Sequence, residues 1–155
     1  MQALKHIFRV FAPHIHTRGI LDAGAGTGGI LSIAAAKLGA VHVTGVEISN
    51  EAVMEAKENI RLNECEAAIR VVHSSVTKIQ EDFDLILANL YGSLLLEIGD
   101  SLIRKLSPGG WIVLGGMGVP QNETVIRFFL DRGLHEKLRY ADSTWSASVL
   151  QKAAW

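Results

Sequence analysis

The stretch Ile20-Leu21-Asp22-Ala23-Gly24-Ala25-Gly26-Thr27-Gly28 decides the fold of this 155-residue chain. With Gly19, its first four residues read as a short strand buried on both faces, since the apolar run is brief and ends at a glycine cluster. The residues that follow are rich in Ile, Leu and Ala, which predicts a helix from about Gly28 to Lys37. Glycines between a strand and a helix let the backbone turn sharply and approach a ligand closely. The turn is therefore a ligand-binding position as well as a connection.

Working outward, strands are expected at Val41 to Glu47, Ile69 to His73, Phe83 to Asn89 and Trp111 to Leu114. Helices are expected at Asn50 to Asn63, Leu94 to Leu106 and Asn122 to Asp131, with Ser107-Pro108-Gly109-Gly110 closing the second of these. Leu134 to Tyr140 and Trp145 to Gln151 are strand-like and joined by only four residues, Ala141 to Thr144. They must pair antiparallel, because a parallel crossover needs about a dozen residues or more. Strands alternating with helices imply an α/β fold, a Rossmann-like, mostly parallel twisted sheet with helices on both faces and a C-terminal antiparallel hairpin. Leu4, Ile7, Phe8 and Phe11 recur at helical spacing before Pro13, so a helix over 1–13 leads into what is expected to be one domain, 1–155.

Hydrophobic residues make up 48% and charged residues 20%, enough apolar surface for a folded core. The net charge of −1 supplies no broad positive field, so direct nucleic-acid binding is not expected. Cys65 is the single cysteine, which excludes an internal disulfide and suits a reducing, cytoplasmic location. The apolar stretches are interrupted too often to span a bilayer, and Lys5, His6 and Arg9 break the start of the chain as a signal peptide. Neither membrane insertion nor export is expected.

Counting glycines leaves the ligand open, since Gly24, Gly26 and Gly29 also satisfy the GxGxxG spacing of dinucleotide folds, with Glu47 where a ribose-binding acid is expected. Asp22 separates the readings. It sets a carboxylate where a dinucleotide would bring its pyrophosphate, and like charges in a poorly solvated turn repel. S-adenosylmethionine (SAM) brings an ammonium and a sulfonium there instead, which an acidic turn attracts. The SAM site is therefore expected at Asp22, Gly24, Ala25, Gly26, Thr27 and Gly28, with Glu47 accepting from the ribose hydroxyls and Ile48 beside it. Ser75 and Val76, just past the third strand, lie within reach of adenine. In the competing reading Asp22 only caps the following helix.

The run from Ile20 to Gly28, followed by Gly45-Val46-Glu47, resembles the first two motifs of class I SAM-dependent methyltransferases. Leu31 to Ala40, Ala88-Asn89-Leu90, Leu106-Ser107-Pro108-Gly109-Gly110 and Trp145-Ser146-Ala147 together resemble the catalytic domain of the ribosomal protein L11 methyltransferase family. That resemblance implies the class I methyltransferase fold and methyl transfer to amines of a ribosomal protein, at lysine side chains and an α-amine. The family also carries an N-terminal recognition domain and an FGTGxH…TT segment, neither of which precedes Leu4 here. Gly29 is an extra glycine, and Glu47 stands where Asp is usual.

Asn89 ends its strand at the carboxyl edge of the sheet, where open α/β folds bind ligands, and is the first catalytic candidate and a cofactor neighbour as well. Methyl transfer is an in-line displacement, so the protein chiefly aims the nucleophile and excludes water. The Asn89 amide oxygen and the Leu90 carbonyl are suited to accept hydrogen bonds from an acceptor amine. The following Leu90-Tyr91-Gly92 is not the Asn-Pro-Pro-Tyr run typical of methyltransferases acting on planar amides or bases. The alternatives are an RNA or small-molecule methyltransferase, a noncatalytic SAM-binding module and a nicotinamide dehydrogenase. No metal is expected: His14 and His16 lack a third ligand, His42, His73 and His135 read as packing or surface residues, and Cys65 has no activating partner.

Overall fold

The computed structural model describes residues 19–155. The helix expected over 1–13 lies outside them. Seven strands form one sheet in the order β3-β2-β1-β4-β5-β7-β6. They are β1 (Ile20–Ala23), β2 (Val43–Glu47), β3 (Ile69–His73), β4 (Phe83–Asn89), β5 (Leu106–Gly118), β6 (Leu134–Ala141) and β7 (Trp145–Lys152). The first five run parallel, while β7 is antiparallel to both β5 and β6. The helices are α1 (Ile30–Lys37), α2 (Asn50–Leu62), α3 (Gly92–Lys105) and α4 (Val119–Leu130).

Neighbouring residues along a strand serve opposite faces, as the two-residue period of a pleated strand requires. Ile20, Leu85, Leu87, Val113 and Val149 join the core that includes Ala35 of α1 and Val53, Ala56 and Ile60 of α2. Leu21, Ile86, Ala88, Ile112, Leu114 and Leu150 join the core formed with Leu95 and Leu102 of α3 and Val125, Ile126 and Phe129 of α4. The sheet is thus covered on both faces, which explains why its strands read as continuous apolar runs.

The departures from the expected boundaries have local causes. Helix α1 starts at Ile30, not Gly28, because Gly29 precedes it in the left-handed conformation, φ 56°. Helix α4 begins at Val119, three residues before the expected Asn122, because Pro120 lies in the first turn, where its missing N–H costs nothing. Helix α3 includes Gly92, where an added Cβ would lie 3.1 Å from Gln121 Oε1 and 3.3 Å from Val125 Cγ2, so the glycine permits close approach to α4. Strand β5 extends well beyond Trp111–Leu114 and includes Ser107 to Gly110 as an irregular excursion. Its register with β4 jumps from the pair Phe83 and Leu106 to the pair Leu85 and Trp111. Among the described residues, no helix is long and apolar enough to cross a membrane.

Candidate active site

The glycine turn hangs between β1 and β2. The Gly24 and Ala25 N–H groups both donate to the Val46 carbonyl, at 2.9 and 3.0 Å. Gly24 and Gly26 have φ of 82° and 64°, conformations that favour glycine. A Cβ at Gly24 would stand 2.7 Å from Leu90 Cδ2, so the turn lies directly against the segment after β4. At Gly26 nothing lies within 4 Å of an added Cβ, which leaves an open shelf. Thr27 is exposed, and its carbonyl accepts from Asn59 Nδ2 at 3.0 Å. Ala25 is buried, while Gly28 is half-buried and adjoins the Ile30 side chain.

Asp22 is completely buried. Its Oδ2 accepts from the Ser32 N–H at 3.0 Å and the Ser32 hydroxyl at 2.6 Å. One oxygen thus ties β1 to the first turn of α1, the capping geometry of the competing sequence reading. The other, Oδ1, has no partner among the described residues. Burial pushes the carboxyl up to about 6, against the two Ser32 bonds and with a further push from the Glu47 charge. Glu47 sits half-buried at the end of β2 and spans the site. Its Oε2 accepts from the Gly26 N–H at 3.0 Å, and its Oε1 accepts from the Ile48 and Ser49 N–H groups at 2.8 and 3.1 Å.

Ile48 is 73% exposed, an apolar side chain presented to solvent beside Glu47. His73 Nε2 donates to the Ile48 carbonyl at 2.9 Å and so fixes this loop, a role sequence reasoning missed. The Ser74 N–H donates to the Glu47 carbonyl. Ser75 accepts from the Thr77 N–H and heads a short 3₁₀ turn, Val76–Lys78. Val76 is buried in the core under α3 and α4, which leaves Ser75 the more accessible of the pair.

Asn89 is exposed at the end of β4. Opposite it, Gly115 leaves room for the side chain, since an added Cβ would lie 3.1 Å from Asn89 Oδ1. The Leu90 N–H donates to the Gly115 carbonyl at 3.1 Å. Gly116, φ 76°, lies so close under Leu90 that an added Cβ would stand 2.8 Å from its carbonyl oxygen and 2.9 Å from its nitrogen. The register of β5 and β7 shifts between Leu114 and Met117, so these two glycines form an irregularity that shapes the floor below Leu90. Tyr91 is 75% exposed.

A cavity of about 680 Å³ opens beside Asn89, between Ile30 and Leu31 of α1 and the β6–β7 turn with Asp142 and Trp145. Asn89 lines it, whereas Gly24, Gly26, Glu47 and Leu90 do not, so the cavity is a space distinct from the shelf over the turn. Sequence reasoning missed Ser32, Gly115, Gly116, Asp142 and Trp145. Paired glycines at a strand end and a serine in an otherwise apolar helix were their available signals. Among the described residues no three His, Cys, Asp or Glu side chains come together to hold a metal.

A parallel sheet with an antiparallel strand inserted before its last, together with a glycine turn after β1 and an acid ending β2, defines a Rossmann-like fold of the class I methyltransferase type. Residues 3–153 match the family described as Ribosomal protein L11 methyltransferase (PrmA), and the chain belongs to that family. It is 36% identical to the ribosomal protein L11 methyltransferase of Geotalea daltonii over 97% of its own length and 49% of the relative's. Against the Geotalea uraniireducens protein of the same name, identity is 35%, over 86% and 42% of the two chains. The chain therefore spans about half the length of these curated relatives. The crystal structure of the ribosomal protein L11 methylase from Lactobacillus delbrueckii subsp. bulgaricus superposes with a TM-score of 0.84 at 26% identity, covering 95% of this chain and 76% of that one. The tRNA m1G37 methyltransferase of M. jannaschii shares the fold, with a TM-score of 0.78 at 20% identity over 96% of this chain and 49% of that one.

Proposed function

We propose that this chain is the catalytic domain of a SAM-dependent methyltransferase that modifies lysine or α-amino groups of a ribosomal protein, working in the cytoplasm. The observation that supports the proposal is the close approach of Leu90 to the glycine turn, while the residue before it, Asn89, lines the cavity. The residues present suit SAM. Gly26 offers space without a side chain, Glu47 Oε2 keeps a lone pair for a ribose hydroxyl, and the unpartnered Asp22 Oδ1 favours a nearby cation over a pyrophosphate. Ile48 offers an apolar surface for adenine, and Ser75 a hydroxyl at the far end of the shelf.

When bound, SAM supplies a methyl carbon activated by positive sulfur. Asn89 Oδ1 and the Leu90 carbonyl accept hydrogen bonds from the acceptor amine and turn its lone pair toward the shelf. Gly115 and Gly116 hold these acceptors in place by admitting Asn89 and Leu90 closely. An ordinary lysine has a pKa near ~10.4, so the site must also favour the neutral amine, which desolvation among Leu87, Ala88 and Val113 assists. The test is transfer of labelled methyl groups from SAM to bacterial ribosomal proteins. Label on a ribosomal-protein amine supports the proposal; label confined to RNA or small molecules contradicts it.

A further inference from the structure

The cavity beside Asn89 has a wall that amine alignment does not use. It is the turn between β6 and β7. Asp142 folds its Oδ1 back to accept from the Thr144 and Trp145 N–H groups, both at 2.7 Å. These two bonds hold its carboxyl below the usual carboxylate range, so it is ionised at neutral pH. Trp145, 53% exposed, and the half-buried Tyr140 line the same cavity. Among the described residues that line it, Asp142 is the one charged side chain, facing a surface otherwise built of apolar, aromatic and small polar groups.

An anion flanked by aromatic rings is a receptor for an organic cation, through Coulomb attraction and contact with the ring faces. We propose that Asp142 is a specificity-determining residue that draws the ammonium form of the acceptor side chain into the cavity, with Tyr140 and Trp145 flanking its alkyl stem. This rests on the proposal that an amine is methylated at Asn89. Asp142 attracts the charge without taking the proton, because a carboxylate so well hydrogen-bonded is a weak base. The proton leaves to water as the amine passes from the polar turn into the apolar interior.

The experiment follows amide and indole signals of the ¹⁵N-labelled chain during titration with a short, otherwise uncharged peptide carrying one lysine, and with its norleucine counterpart. Both titrations are run with and without S-adenosylhomocysteine. The lysine peptide should shift the signals of the 142–145 turn and the Trp145 indole, binding about threefold more tightly than norleucine, the scale of one exposed charge pair. Asp142→Asn keeps an oxygen for the two turn N–H groups and should bring lysine down to the norleucine level without changing norleucine. Raised salt should level the wild-type peptides in the same way. Equal binding of the two peptides by the wild type, an unaltered lysine preference in D142N, or an absence of lysine-dependent shifts at the turn overturns the proposal. Failure of S-adenosylhomocysteine to bind would instead overturn the cofactor assignment, which is read in the same samples.

Discussion

Around the glycine turn, backbone N–H groups converge on acids: Ser32 donates to Asp22, while Gly26, Ile48 and Ser49 donate to Glu47. Around Asn89 the construction is different. There the Leu90 N–H donates to the Gly115 carbonyl, and the shape comes from two glycines and an adjoining cavity. The first region is preorganised by charge-assisted hydrogen bonds, which suits a ligand that never varies. The second is held by steric fit and its cavity is bordered by the exposed Trp145, which suits an acceptor brought in from outside. On this view the two halves should fail differently when altered.

The largest effect is expected at Asp22, where function and stability oppose each other. Burial raises its pKa from 3.8 to about 6, so protonation favours the folded state. That stabilisation is complete below pH 3.8 and is lost as pH rises through about 6. Relative to the wild type, Asp22→Asn should therefore gain stability as pH rises from 4 to 7, by up to about 3 kcal/mol, the equivalent of a shift of roughly two pKa units, while weakening SAM binding. Denaturant unfolding of both proteins from pH 4 to 7 measures it, and the gap should widen as pH rises. A gap independent of pH would mean that the Asp22 charge costs the fold nothing.

Glu47→Ala comes next. It removes the carboxylate shared by three backbone N–H groups and should weaken SAM binding by about 2 kcal/mol, the cost of leaving buried polar partners unsatisfied. Calorimetric titration checks this. Unchanged affinity would separate Glu47 from the ribose and leave it as a brace for the turn. In the other half, Asn89→Ala should lower turnover about tenfold, roughly 1.4 kcal/mol of barrier, with SAM affinity nearly unchanged. Steady-state kinetics beside equilibrium binding decides it. Lost affinity with retained turnover would move Asn89 to the cofactor side and erase the contrast between the halves.

The same contrast explains what was legible in the sequence. Gly24, Gly26 and Glu47 stand close to strand ends, and local punctuation places them together once the strands are parallel. The parallel sheet and its β6–β7 hairpin also followed from local patterns, because a short link forced the hairpin and long ones allowed the crossovers, whereas the order of the strands came only from the fold. The role of Ser32 was hidden, since a serine in an apolar helix shows its partner only when α1 packs over β1. Asp22 was read as facing a ligand, yet half of its carboxylate caps α1, a division that depends on the depth of burial. The cavity was hidden more deeply: Asn89, Gly115, Asp142 and Trp145 come from three separate segments and meet only through the antiparallel insertion of β7.

The most direct test of the central claim is thermal unfolding of the chain with S-adenosylmethionine and, separately, with NAD. Ligand at about one hundred times its dissociation constant stabilises the native state by about 2.7 kcal/mol. S-adenosylmethionine should raise the melting temperature accordingly, and NAD at the same concentration should leave it unchanged. Stabilisation by NAD alone would contradict the account, because the acids beside the glycine turn would then be accommodating a pyrophosphate.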